Sequence, residues 1–335
     1  MFYKPSKRRD SFRTLPRLPS YRLVAALALI LVVWTAPVEA TTVAPPNRLE
    51  ELRAQELRVA RVTYRLALAN KTFCTQASSP QAGFVLHGIE QYEVADRERV
   101  TATFRLGSHL GVMAVVPHSP VERAGLKADD QLLTVNGKAL RGEVLKPDRA
   151  PTRTAVQGVQ EIFIEEMKKG EVTLGIIGAQ GRREIRFTPE PGCTSNVELL
   201  PGEAVNAWAD GERVVIGAGL LARCKTDADL ALVIAHELAH NLLRHSHWLT
   251  VVHGPHAKKL GLRGSGPVIM REAEEEADRL AVRLTIAAAY DVSGAEAFLS
   301  GLLDDRESAA DSGTHPETAR RLGLLRAAIA VAQGV

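Results

Sequence analysis

The chain has 335 residues, 45% of them hydrophobic, 24% charged and 5% aromatic. That length allows about two domains, each with a core built mainly from Leu, Val, Ile and Ala. The formal charge of +3 arises in the first forty residues, where Lys4, Lys7, Arg8, Arg9, Arg13, Arg17 and Arg22 face only Asp10 and Glu39. The rest carries 35 basic against 37 acidic residues and no basic run, which excludes a nucleic-acid partner.

Residues 1–22 form the basic leader, and Leu23 to Trp34 is an apolar stretch too short for an ordinary membrane span. Val38-Glu39-Ala40 then offers small residues at the −3 and −1 positions of a cleavage site. Residues 1–40 therefore read as a signal peptide, implying export to a periplasmic compartment. The alternative is an uncleaved anchor, the one route to membrane contact. Arg8-Arg9 is a poor twin-arginine signal, because Ser11 stands where a hydrophobic residue usually follows. Cys74, Cys193 and Cys224 are the only cysteines. In an oxidising compartment the first two, which bracket one folded segment, are the favoured pair, leaving Cys224 free.

Residues 41–82 comprise a linker, Thr41 to Pro46, then a charged segment from Arg48 to about Leu68 with apolar residues at helical spacing. This predicts a surface or domain-bridging helix, followed by a loop over Ala77 to Gln81. Residues 83–190 read as short strands with two helices. Leu110 to Val116 is a strand, Ser119 to Leu126 a turn, short helix and Gly stop, and Gln131 to Val135 a strand closed by the turn pair Asn136-Gly137. A helix follows over Ala155 to Lys169, then strands over Val172 to Ile177 and Glu184 to Phe187.

This order, carried by Leu110-Gly111-Val112, Ser119-Pro120 through Gly125-Leu126, and Asp130 through Asn136-Gly137, resembles a PDZ domain of the bacterial protease-associated kind. One departure is Asp129, where that family usually has Gly. The resemblance implies an α/β-sandwich whose Gly107 to Gly111 loop receives a chain end. It makes Leu110, Gly111 and Val112 the groove strand for peptide C-termini or exposed segments, walled by the helix from Ala155.

A link over Gly192 to Asp210 leads into a final domain, residues 197–333. Thr226-Asp227-Ala228-Asp229 is a capping-box-like helix start. Within the apolar run that follows, His236-Glu237-Leu238-Ala239-His240 places two imidazoles one turn apart on one helix face. Such a pair can share one zinc ion, with Glu237 beside it to take a proton from water activated there. A catalytic zinc needs a third protein ligand and an open position. The next candidates are Glu274 and Asp278, one turn apart on a second helix running to about Ala289. Glu274 can reach the metal, and Asp278 can accept a hydrogen bond from a ligand histidine. Thr250 to Met270, rich in Gly, reads as a loop between these helices that could cover the cleft.

The segment from about Val197 to Leu325 is similar to the gluzincin family of HtpX and the CAAX prenyl endopeptidases, metallopeptidase family forty-eight. The similarity is carried by Asn206 to Ala209, Gly217 to Leu221, His236 to His245, Glu274-x-x-Ala277-Asp278, and Thr314-His315-Pro316 with Arg321. It implies a mainly helical zincin-type domain with a small edge sheet, so that the whole chain is α+β. It further implies one zinc per chain on His236, His240 and Glu274, with Glu237 as general base and Asp278 supporting a ligand. Asn206, Ala207, Trp208 and Ala209 would form the edge strand for substrate. His315 and Arg321 would line the cleft, stabilise the oxyanion or gate the metal. His245, His247, His253 and His256 read as surface or packing residues. No membrane helices flank the catalytic pair, which argues for polypeptide substrates outside the bilayer. The competing reading is a peptide-binding, chaperone-like module with a latent or structural zinc site. A purely structural site, however, usually has four protein ligands and no need of a base.

Overall fold

The computed structural model describes residues 48–74, 77–140, 150–248, 266–307 and 318–334. The leader segment, the region 249–265 and His315 lie outside them. Among the described residues no helix is long and apolar enough to cross a membrane. The fold is α+β, and it begins with α1 (Arg48–Ala69). Val59, Val62, Thr63, Leu66 and Ala67 are its buried residues, at the three-and-four spacing of one helix face. Val59, Val62 and Leu66 enter the same core as the later helices, while Leu49 and Leu52 pack against a cluster under the first sheet. The helix thus packs against both clusters.

That first sheet comprises β2 (Phe84–His87), β3 (Gly111–Val115), β4 (Gln131–Val135), β6 (Val172–Gly178) and β7 (Gly181–Phe187), in that order, with β5 (Lys138–Ala139) attached to β4. Its helices are α2 (Arg97–Phe104), which the sequence pattern did not announce, α3 (Pro120–Arg123) and α4 (Thr154–Met167). Ser119 caps α3, its hydroxyl accepting from Glu122 N, with Pro120 in the first turn. Val156, Val159 and Phe163 of α4 join Leu132, Leu174 and Ile176 of the sheet in one core. Asp129 adopts φ +69°, the left-handed conformation that Gly takes freely. Its carboxylate binds the Arg53 guanidinium of α1 at 2.5 Å, so the departure from Gly ties the bridging helix to this sheet.

Two expectations are corrected here. Leu110-Gly111-Val112 is not an open groove strand. On one side β3 pairs with β2, from Phe84↔Val115 to His87↔Gly111. On the other, Val112 N donates to Asp130 O and Leu132 N to Leu110 O, at 2.8 and 2.9 Å. Both flanks are occupied, and the outer strand on this side of the sheet is β2, whose Phe84 ring meets Phe163 of α4 edge-on. The second correction concerns Ala77 to Gln81. Its Ser78–Gln81 part forms β1, antiparallel to β8 (Glu190–Cys193) with Pro80 opposite Pro191. Two prolines carry no strand signal, so this ribbon is imposed by its surroundings. A disulfide joins Cys74 to Cys193 beside it, and Cys224 is free and buried.

The second sheet is small: β9 (Asn196–Leu200), β11 (Arg213–Gly217) and β10 (Ala207–Ala209), with β11 in the centre. Against it lie α5 (Ala218–Arg223) and α6 (Asp227–Leu242), followed by α7 (Gly266–Ala287), α8 (Ala295–Glu307) and α9 (Thr318–Gln333). Val214 and Ile216 of the sheet, Leu230, Ile234 and Leu238 of α6, and Val282 and Leu284 of α7 share the core that α1 completes.

Candidate metal centre

The capping box predicted at Thr226 is formed: its hydroxyl accepts from Asp229 N at 3.1 Å, and the Asp229 carboxylate accepts from Thr226 N at 2.8 Å. It fixes where α6 starts, and hence which residues face inward. Leu230, Ile234 and Leu238 take the core side, and His236 and His240 project from its flank. On α7, buried Ala273, Ala277 and Ala281 recur every fourth residue. A stripe of small side chains lets two helices approach closely, which brings Glu274 up to the α6 histidines.

His236 Nε2 lies 3.1 Å from His240 Nε2, and Glu274 places Oε2 3.5 Å from His236 Nε2 and Oε1 3.5 Å from His240 Nε2. Zinc bonds of about 2.0–2.1 Å in tetrahedral array put neighbouring ligand atoms about 3.3 Å apart. The imidazole–imidazole distance is close to that value, the carboxylate faces both rings, and one ligand atom from each of the three residues lies within 4.8 Å of the others. The donor set of two imidazoles and a carboxylate suits zinc. Each of the three side chains remains 16% exposed, so the centre is reachable from solvent. Glu237, next along the helix, is partly exposed. Burial opposes the charge on Arg321, but Asp278, then Glu274 and Glu237, raise its pKa.

The backing of the two histidines differs. His236 Nδ1 is 2.9 Å from Asp278 Oδ1, and Asp278 in turn accepts two hydrogen bonds from Arg321, at 2.8 and 2.7 Å. Burial opposes charge on His236, but the Asp278 and Glu274 carboxylates prevail and raise its pKa. His240 moves the other way: burial, then the neighbouring His236, push it down. Burial also opposes ionised Asp278, yet Arg321 and His236 hold its carboxyl at about 2. Arg321, buried and paired with Asp278, stands 3.7 Å from Glu274. It thus braces the ligand helix from behind rather than lining the cleft as expected. Next to it Arg320 grips Glu275, so α9 holds α7 at two successive residues.

Two contributors escaped the sequence reading. His245, assigned to surface or packing, is 5% exposed and sits against His240. Asn241 accepts from Gly211 N at 2.7 Å and donates to Arg213 O at 3.1 Å, clamping the β10–β11 turn to the end of α6. An Asn beside the second histidine was the only signal. The clamp sets β10, one of the two outer strands of its sheet, relative to His236, His240 and Glu274. Ala207 and Ala209 turn towards the core, and Trp208 is 38% exposed on the opposite face. Asn206 precedes the strand, its carbonyl accepting from Gly217 N.

A family model described as Peptidase family M48 matches residues 182–258. The matched segment includes His236, Glu237, His240 and His245 but ends before Glu274, Asp278 and Arg321, which only the fold brings to the site. No curated protein matches the chain significantly. Among solved structures, the chain is similar to an HtrA3 PDZ domain bound to a phage-derived ligand, FGRWV. That match has 18% identity and a TM-score of 0.25, covering 34% of this chain and 88% of the other.

Proposed function

We propose that the chain is a zinc-dependent endopeptidase acting on polypeptides outside the cytoplasm, after removal of residues 1–40. The observation that carries this reading is the His236–His240–Glu274 triangle, with Glu237 beside it on the same helix. The partial match to Peptidase family M48 supports it. A zinc ion held by these donors supplies Lewis-acid polarisation of a carbonyl and acidification of water. Glu237 takes the proton from the attacking water and returns it to the leaving amine nitrogen. His236 presents Nε2 because Asp278, held by Arg321, fixes its Nδ1 proton. An extended substrate adds as a strand to β10, where backbone pairing gives affinity with little demand on sequence. A second peptide could add at β2, an outer strand of the larger sheet, beside α4.

The test compares zinc-loaded wild type with Glu237→Gln on an unfolded protein such as casein. The variant should keep its zinc and lose turnover by about 10²–10⁴-fold, and a chelator should silence the wild type. Undiminished cleavage by Glu237→Gln would overturn the assignment of the base.

A further inference from the structure

We infer that His245 is a positioning residue for the metal centre, orienting His240 through a hydrogen bond between the two imidazoles. This rests on the zinc reading above. His245 Nδ1 lies 2.9 Å from His240 Nδ1, and His245 Nε2 lies 3.3 Å from a Glu276 oxygen. One tautomer assignment satisfies every contact. His240 must leave Nε2 bare to face the metal triangle, so its Nδ1 carries the hydrogen and donates to His245 Nδ1. His245 then carries its own hydrogen on Nε2 and donates it to Glu276. Both rings are neutral, and the chain of donors runs outward from the metal to solvent.

The backbone shows how this contact is made. Residues five apart do not share a helix face. α6 ends at Leu242, and Arg244 takes φ +58°, the left-handed region that non-glycine residues seldom occupy. That reversal folds His245 back beneath the helix end until its ring meets His240, centroid to centroid at 4.9 Å. A strained backbone residue next to a buried histidine that touches a ligand is hard to explain by packing alone.

The two ligands are therefore braced unlike each other. His236 leans on a carboxylate anchored by a buried guanidinium. His240 leans on a neutral imidazole whose outer partner, Glu276, is 57% exposed. Most of the bracing at His240 should accordingly reside in His245 itself and little in Glu276.

The experiment titrates zinc, against a competing chelator, into the metal-free chain as wild type, His245→Asn and His245→Gln. Asn can place an amide where Nδ1 stood, whereas Gln places it near Nε2. Thermal unfolding of each metal-free form and the visible spectrum of each cobalt-loaded form are recorded alongside. The expected result is zinc affinity about 10–100-fold weaker in His245→Gln, with His245→Asn recovering most of it, and metal-free melting unchanged. A zinc-binding wild type with an equally tight His245→Gln overturns the inference, as does His245→Asn no tighter than His245→Gln. A wild type that binds no zinc overturns the metal centre itself, and this inference with it.

Discussion

Arg321→Leu removes the brace behind the metal helix while leaving every proposed ligand in place. The Arg321 side chain is 5% exposed and that of Asp278 6%, and two short hydrogen bonds join them. Hydrogen bonds to charged groups contribute about 1.5–3 kcal/mol each, so the pair amounts to about 3–6 kcal/mol. Orphaning one member of a buried ion pair costs about 3–5 kcal/mol by the independent route of measured deletions. A third route starts from the Asp278 carboxyl, held at about 2 against an ordinary 3.8. That fall corresponds to about 2.5 kcal/mol, shared between Arg321 and His236. Because the folded value is depressed, this stabilisation is present above about pH 4 and is lost as pH falls through about 2. We therefore expect Arg321→Leu to destabilise the metal-free protein by about 3–4 kcal/mol at pH 7, lowering its melting temperature by about 10 °C. The assay is thermal unfolding in the presence of chelator. Asp278→Asn combined with Arg321→Leu should recover part of the loss, because no charge is then stranded. A single variant costing under about 1 kcal/mol, or a double variant worse than the two singles together, would refute the argument.

The remaining perturbations probe other parts of the fold. Cys74→Ser opens a covalent link spanning 119 residues. On the chain-entropy account this costs about 5 kcal/mol, measurable as a lower denaturation midpoint matched by reducing the wild type. Thr226→Ala loses the hydroxyl end of the capping box and should cost about 1 kcal/mol in urea unfolding; no change would mean that the α6 start is fixed by packing alone. Burial, opposed by Arg153 and reinforced by Glu198, pushes Glu56 up to about 7. An acid raised in the folded state costs stability as pH rises from its ordinary 4.5 through that value. Glu56→Gln should therefore be neutral near pH 4 and stabilising by up to about 3 kcal/mol at pH 8; a benefit independent of pH would contradict this.

Much of the centre was legible because its signals are local. The Thr226 box, the two histidines one turn apart and Glu237 all lie on one helix, where spacing alone decides which side chains share a face. Asp129 was legible as a departure, and its left-handed backbone shows what Gly would have supplied. His245 was hidden because its contact depends on a reversal at Arg244, a residue type that does not advertise one. Arg321 was visible as a motif position, but its partner is 43 residues away, and only the packing of α9 on α7 turns it towards Asp278. The larger sheet misled for a related reason. Phe84–His87 lacks the alternation of a half-exposed strand, so nothing in it announced that β2, and not β3, would lie outermost.

The position of α1 bears on the order in which the molecule can assemble. It precedes every other described element in sequence, yet Val59, Val62 and Leu66 share a core with residues of α6 and α7, and the Asn70 amide donates to Leu284 O. Until α6 and α7 have been made, the part of this apolar stripe that meets them has no place to dock. Contacts of such long sequence separation slow folding, so the larger sheet can close early while the second core still waits for α1. α6 and α7, which carry His236, His240 and Glu274, belong to that later-closing core.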